Sequence, residues 1–555
     1  MLISPFLKLA KAGPELPCLY RLKDEQWICY SRDDVVQASM RLCAKWQADG
    51  LQPGDRLLIL MENRPEWAVT AIASCMYGLV SVPAYTTHKD HEVQYLIEKS
   101  DAVAAVVSDG PLHDLLQSVV TPGADFKLYV ASDVEQSLFP DIADCEFTLL
   151  ENREPDALYA LIATSGTNGL PKLVALTQRN LQANVTSILD VLEEADLAEP
   201  HRFLSFLPLA HAYEHMAGLY LPLYLGGEIF YCEKLDKLSA MMAEVSPTLM
   251  TAVPRLYELL HSRITNQIEK ESRIKRHLFE TTIRLGQKPQ LSFVERLLDG
   301  LCERLVRHKV RHRFGGKLRY FVSGGAALNP KISEFFQGLG VGILQGYGQT
   351  EASPVISVNR PGSERADTVG PKLPGVEVRL SDGGELLVRG DNVMSGYWND
   401  PAATADVLID GWLHTGDLAE IDPDGHIRIV GRLKDLIVNS GGDNIAPAPI
   451  EQEISLYPEV EQVVVVGDAR PWLSAIICLN EEIESERVDQ TIRDVLRRYN
   501  QDKSSLLQVR KGLLMTESCS IDNGLLTPTH KIKRPQVIAL YASQIEQLYS
   551  SKSSK

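Results

Sequence analysis

An α/β fold with a small α+β unit at its C-terminal end is predicted by three features of the 555-residue chain. Short apolar runs alternate with helically spaced stretches up to about residue 430, the pattern of sheets layered with helices. A Gly- and Asp-rich segment, "IDPDGHIRIVGRLKDLIVNSGGDNIAP", then interrupts that rhythm, and the remaining 120 or so residues carry periodic elements of their own. The length leaves room for several subdomains, since compact domains usually run to about 100 to 200 residues.

The apolar runs 56–60, 102–107 and 318–322 read as buried strands. The most apolar window, 68–85, holds Thr70, Ser74, Gly78, Ser81 and Pro83 and is barely long enough to cross a bilayer. It predicts a buried helix followed by a strand, with no transmembrane segment. Between residues 251 and 320 there are 16 Lys and Arg against 7 Asp and Glu, a local +9 within a chain of −17. There Val294, Leu297, Leu298, Leu301 and Leu305 recur at helical spacing, with Arg296, Arg304, Arg307, Lys309, Arg311 and Arg313 among and after them. Such a basic amphipathic helix suits either an anionic membrane surface or the protein's own acidic body.

The turn-rich segment predicts a boundary near Arg432 to Lys434, hence domains 1–433 and 434–555. The second carries a helix near 450–456 and strands near 463–466 and 474–479. The tail "SSKSSK" is expected to be disordered, and no internal repeat is present.

Composition excludes several classes of function. An apolar fraction of 45% with 23% charged residues is that of a globular protein. The net charge of −17 argues against nucleic-acid binding, which needs clustered positive charge. Nine Cys form no C-x-x-C pair and no zinc spacing, and the N-terminal "MLISPFLKLAKAG" lacks a secretory core and cleavage site. A cytoplasmic location follows, with the inner face of the membrane as a peripheral site if the basic helix binds lipid.

Residues 162–181, "IATSGTNGLPKLVALTQRNL", end an apolar run on Ser, Thr and Gly, meet a Lys, and resume helical spacing. Small and hydroxylated residues let the backbone turn tightly and aim N–H groups and hydroxyls at an anion, so Ser165, Thr167 and Lys172 could share the charge of a polyphosphate. A P-loop is excluded, because Pro171 stands where the second Gly should be and Leu173 where the Ser or Thr should be. The alternative for the stretch alone is a Gly-rich surface turn.

Downstream come "FVSGGAAL", "GYGQTEASP", "GWLHTGDLAEIDPDGHIRIVGRLKD" and "LTPTHKIKR". With the loop above, in this order and spacing, they closely resemble the AMP-forming adenylating enzymes, over about residues 25 to 540. "FLPLAHAYEH", "VPRLYELL" and the basic helical insertion are similar to the long-chain fatty acyl-CoA synthetase branch. The resemblance implies the adenylate-forming fold: a large multi-subdomain N-terminal domain with layered sheets and helices, and a small mobile C-terminal lid. It implies an ATP- and Mg²⁺-dependent ligase that makes acyl-AMP from a fatty acid, releases pyrophosphate, and passes the acyl group to coenzyme A. Acyl carrier protein is the alternative acceptor, and a catalytically impaired binding relative the third reading.

Residue by residue, the resemblance implies that Ser165, Gly166, Thr167, Gly169 and Lys172 line the pyrophosphate loop. Gly325, Ala326 and Ala327 would wall the adenine, with Tyr347 stacking on it and Gly348 beside it. Thr350 would face the α-phosphate and Glu351 would ligate Mg²⁺. Asp417 would take both ribose hydroxyls and Arg432 the same sugar or its phosphate. Lys531 would bridge α-phosphate and carboxylate, with Lys533 as fallback. Gly441 and Gly442 would border the coenzyme A thiol channel, and the lid would turn at Lys434 between the two steps. His211 would line the acyl or the nucleotide site, or sit in the core. Asn168, Leu173 and His530 depart from the family pattern, and Leu173 puts a side chain where backbone approach is expected.

Overall fold

The structure, a computed structural model, describes residues 1–550 except 121–124, 133–137, 140–141, 143–146, 148–153, 165–170, 196, 198, 234, 289, 481–482, 484 and 528–530, and except the side chains of 194, 235 and 485. Two large sheets carry the body. In the eight-stranded sheet the strands run in the order Val355–Val358, Gly342–Gly348, Tyr320–Ser323, Leu249–Ala252, Arg202–Ser205, Glu228–Tyr231, Pro17–Lys23 and Gln26–Ser31. Its central strands are parallel. The seven-stranded sheet runs Gly396–Tyr397, Leu173–Thr177, Leu158–Ala163, Val80–Pro83, Arg56–Leu60, Ala102–Ser108 and Lys127–Ala131. A third, five-stranded sheet contains Trp412–Ile421 paired with Ile427–Arg432.

The apolar window behaves as its composition dictates. Pro65 opens a helix over Pro65–Tyr77, Gly78 closes it at φ 98°, and every residue in it is buried before the strand Val80–Pro83 begins. Gly suits that closing position because it alone adopts positive φ without a Cβ clash. Trp67, Trp46, Tyr159 and Tyr220 fill the core between the layers. Among the described residues, no helix is long and apolar enough to cross a membrane, and no disulfide links two cysteines.

After Ile427–Arg432 the chain makes one 3-10 turn, Leu433–Asp435, between extended residues. The C-terminal segment then forms the helix Pro447–Ile454 and a three-stranded sheet of Val460–Val466, Leu473–Leu479 and Val509–Leu514. Val465, Ala475, Ile477 and Val495 make its separate core.

The basic insertion is helical: Pro254–Glu269, Arg273–Gly286 and Phe293–Cys302, then a π turn, Glu303–Arg307, and His308–Arg313. Ser292 and Glu295 cap the third helix reciprocally. Two expectations need correction. Arg307 is not on a basic surface; it is buried, donating to the Gly338 and Thr282 carbonyls and pairing with Asp299. Nor is the apolar stripe laid on the body, because Phe293 is 78%, Val294 72% and Leu297 66% exposed.

Candidate functional site

A cleft of about 2410 Å³ separates the body from the C-terminal segment and is lined by both. It opens beyond the C-terminal ends of Leu249–Ala252, Tyr320–Ser323 and Gly342–Gly348, where ligands sit in open α/β sheets. The loop Gly324–Ala327 that follows Tyr320–Ser323 forms one wall. Gly325 there has φ 82°, and a Cβ on Gly324 would lie 2.9 Å from the Tyr213 ring. Gly348 is forced too, since a Cβ would meet the Pro354 carbonyl oxygen at 1.9 Å. A larger residue would push the chain out of this wall.

Tyr347, Asp417 and Arg432 form one polar unit. The Tyr347 hydroxyl donates to Asp417 Oδ2 at 2.5 Å, and Arg432 Nε donates to Asp417 Oδ1 at 2.9 Å. Strand register sets Asp417 opposite Arg432, and Asp417 is buried. Each carboxylate oxygen retains one acceptor site, so the group can still take two hydroxyls.

A second unit joins distant segments. Tyr397, on a two-residue strand paired with Leu173–Thr177, donates its hydroxyl to Glu351 Oε1 at 2.8 Å, and Lys172 Nζ stands 4.6 Å from its ring centroid. Lys172, Thr350 and Glu351 all line the cleft. Among the described residues no three His, Cys, Asp or Glu gather as a metal cage. Glu351 alone fits a cation held mostly by phosphates and water, as Mg²⁺ is.

Lys531 enters from the C-terminal segment. Its backbone is fixed by a reciprocal pair with Thr527, and its side chain lies near Arg432, Asp417 and His211. Desolvation, reinforced by Arg432 and opposed by Asp417, lowers its pKa to about 8. Lys533 does not line the cleft. His211 does, and burial followed by the Lys531 charge lowers its pKa to about 3. The Tyr213 N–H donates to its Nδ1, so the neutral ring carries its proton on Nε2.

Gly441 and Gly442 are held in an exposed turn, where the Gly441 and Asp443 N–H groups donate to Asn439 Oδ1. They do not line the cleft in this pose. Leu173 directs its side chain into the core, fully buried, with its carbonyl taken by the Trp398 N–H. Ser165, Gly166, Thr167, Asn168, Gly169 and His530 lie outside the described residues.

Sequence reasoning missed Tyr213 and Tyr397, and also Glu214. That carboxyl is fully buried beneath the cleft, where Ser205 and Thr251 donate to it at 2.7 and 2.9 Å. Burial raises its pKa to about 7. A Cβ on Gly218 would lie 2.3 Å from Glu214 Oε1, so the π turn His215–Tyr220 needs Gly there. Phe206, Met216, Ala217, Leu238, Met242 and Leu256 give the same cleft an apolar part of its lining.

Residues 6–398 match the family model of the AMP-binding enzyme, and residues 434–553 that of the AMP-binding enzyme C-terminal domain. The chain belongs to the AMP-binding enzyme family. Its relatives in that family include the long-chain-fatty-acid–CoA ligase FadD15 of Mycobacterium bovis, 32% identical, with 90% of this chain and 89% of that one covered. The long-chain-fatty-acid–CoA ligase 1 of Cavia porcellus is 31% identical, with 96% and 84% covered. ATP-bound MatB from Rhodopseudomonas palustris has the same fold, with TM-score 0.75, 24% identity and 98% and 99% coverage. So does the o-succinylbenzoate CoA synthetase MenE of Bacillus subtilis with its acyl-adenylate, at TM-score 0.73, 21% identity and 96% and 97% coverage. The AMP-binding enzyme fold expected from the motifs is thus the fold observed.

Proposed function

We propose that the protein is an ATP-dependent ligase that activates a long- or medium-chain fatty acid and transfers it to coenzyme A. The observation that carries this reading is one cleft whose lining combines apolar side chains such as Met216, Leu238 and Met242 with Lys531, Asp417, Arg432, Tyr347 and Glu351. In the first step a carboxylate oxygen attacks the α-phosphorus of ATP, the bond to the β-phosphate oxygen breaks, and pyrophosphate leaves. In the second, the thiolate of coenzyme A attacks the acyl carbonyl and AMP leaves. The names of the relatives support coenzyme A over a carrier protein as acceptor.

In this reading Lys531 holds carboxylate and α-phosphate together against their mutual repulsion, a preorganised electrostatic contribution. Asp417 and Arg432 orient the ribose, Tyr347 and the loop 324–327 flank the base, and Thr350 faces the α-phosphate. Lys172 would act with Ser165, Gly166, Thr167 and Gly169 on the departing pyrophosphate. Mg²⁺ held by Glu351 would supply charge neutralisation for the phosphates. Residues 434–555 act as a lid on 1–433 and must swing to bring Gly441 and Gly442 to the thiol channel. Peripheral contact with an anionic membrane belongs to the same reading.

Hydroxylamine trapping of acyl adenylate across chain lengths tests it, followed by addition of coenzyme A or acyl carrier protein. Each buried methylene is worth about 0.8 kcal/mol, so dodecanoate or longer should exceed acetate by several orders of magnitude in kcat/KM. Equal values for acetate and palmitate would sink the substrate assignment, and a thioester formed only on the carrier protein would sink the acceptor.

A further inference from the structure

The helix Pro447–Ile454 brings the C-terminal segment onto the Gly324–Ala327 wall of the cleft. Gln452 Nε2 donates to the Ala327 carbonyl at 3.2 Å, and Asn329 Nδ2 donates to the Gln452 carbonyl at 3.3 Å. Asn329 is committed on both sides, because its Oδ1 accepts the Lys331 N–H at 3.0 Å as the cap of the helix Pro330–Gly338. Leu456, just past Pro447–Ile454, packs on the body core that contains Leu328 and Ile332. Where that helix begins, Gly431 of the body comes so close to Ala446 that a Cβ on the glycine would lie 2.9 Å from the alanine Cβ. The same helix holds the stretch that carries Lys531. Glu451, beside Gln452, accepts the Val465 N–H at 2.6 Å and pairs with Arg534, which follows Lys531 closely in the chain. Wall, helix and Lys531 are thus joined by a continuous run of contacts.

We propose that Gln452 and Asn329 form a latch that fastens the C-terminal segment to the Gly324–Ala327 wall and so seats Lys531 in the cleft. Both are positioning residues, since they act through Lys531. Resting on the ligase reading above, the latch serves the first half-reaction alone. Its bonds exist only while the helix lies on the wall, and a swing that carries Gly441 and Gly442 to the thiol channel must break them. An interaction made in one of two poses shifts the balance between them by its whole worth. The latch also joins closure to the wall that would flank the adenine. A nucleotide seated there therefore favours closure by the same factor as closure favours the nucleotide. Neutral amide bonds are individually modest, which suits a contact made and broken in every turnover.

Two substitutions in the intact protein each remove one bond and spare the element that carries it. Gln452→Met keeps the length of the side chain and the backbone carbonyl but cannot donate to Ala327. Asn329→Asp keeps the helix cap and cannot donate to Gln452. Amide hydrogen exchange, read without ATP, coenzyme A or fatty acid, should become about threefold to tenfold faster in both 324–329 and 447–456 in each variant. The strands Val460–Val466 and Leu473–Leu479 should exchange as in the parent. In single turnovers with ATP and palmitate, each variant should release pyrophosphate about threefold to tenfold more slowly. Supplied palmitoyl adenylate should still be converted to thioester at the parent rate or faster. The latch is overturned if exchange at the two segments stays at the parent rate in either variant. It is equally overturned if pyrophosphate release is unchanged, or if both half-reactions fall together as a general structural defect would make them. Faster exchange in the variants of a parent that releases no pyrophosphate would refute the ligase reading and leave the latch standing, since exchange reports the docking alone.

Discussion

Arg432 Nε and Asp417 Oδ1 stand 2.9 Å apart at the last register pair between two strands, one residue before the chain turns toward the C-terminal segment. In the proposed reading the pair ties nucleotide recognition to the place where the segment is attached. Asp417→Asn should cut kcat/KM for ATP by about a hundredfold, the loss of a charge-assisted pair in a water-poor site. Steady-state kinetics at varied ATP check it; an unchanged constant would remove Asp417 from the nucleotide site.

Lys531 gives a pH signature. In the proposed reading its role requires the ammonium, desolvation lowers its pKa to about 8, and kcat/KM reports free-enzyme ionisations. The adenylation rate should fall as pH rises through about 8. Arg432 lowers that pKa and Asp417 raises it, so Arg432→Gln should move the alkaline limb up in pH and Asp417→Asn should move it down. Lys531→Arg should flatten it, since a guanidinium stays charged. Pyrophosphate release measured from pH 6 to 10 distinguishes these, and identical limbs in all four proteins would exclude Lys531 as the titrating group.

Glu214 should govern part of the pH dependence of stability. Its folded pKa, about 7, exceeds the ordinary 4.5, so the folded state holds the proton more tightly. The associated stability is complete below about 4.5 and is lost as pH rises through 7, a span of roughly 3 kcal/mol at most. Glu214→Gln keeps the shape: one of the Ser205 and Thr251 hydroxyls still donates to the amide oxygen, and the other turns to accept from the amide NH2. Denaturant titrations should show the variant matching the parent at pH 5 and exceeding it at pH 8. A variant weaker at both values would show that the two hydroxyl bonds require a carboxylate.

The turn Leu433–Asp435 is short, helical and flanked by extended residues. Pro at 434 disfavours helical dihedrals at the residue before it. Lys434→Pro should therefore oppose the pose that presents Lys531, depressing pyrophosphate release more than thioester formation from supplied acyl adenylate. Lys434→Ala should lose little in either. Single-turnover assays of the two half-reactions report the split; equal effects on both would move the hinge elsewhere.

Much of this was legible in residue order, though not every direction. The strands at Arg56–Leu60 and Ala102–Ser108 and the helix Pro65–Tyr77 follow from continuous apolarity and from Pro and Gly at the helix ends. Periodicity located the stripe through Leu297 and Leu301 but was silent on which way it faces, because the same spacing serves a core and a docking face. Arg307 shows why charge counting misleads, since a guanidinium that satisfies two carbonyls and a carboxylate is interior structure. Tyr397 escaped notice because its partner Glu351 is 46 residues away and its strand is two residues long. Leu173 looked like an obstruction because residue order does not say where its side chain goes; it opens a strand buried on both faces and is itself fully buried.

The cleft has walls on both sides of the 433–435 turn, so, if the C-terminal segment swings as proposed, the shape of the cleft exists only in the pose that brings Lys531 to it. A small molecule made to touch Tyr347 on one wall and Lys531 on the other would select that arrangement from the ensemble and hold it. Such a compound would act as a clamp: its onset would follow closure of the segment, its release would wait for reopening, and inhibition would develop with time. Screening against a variant locked open would never find it.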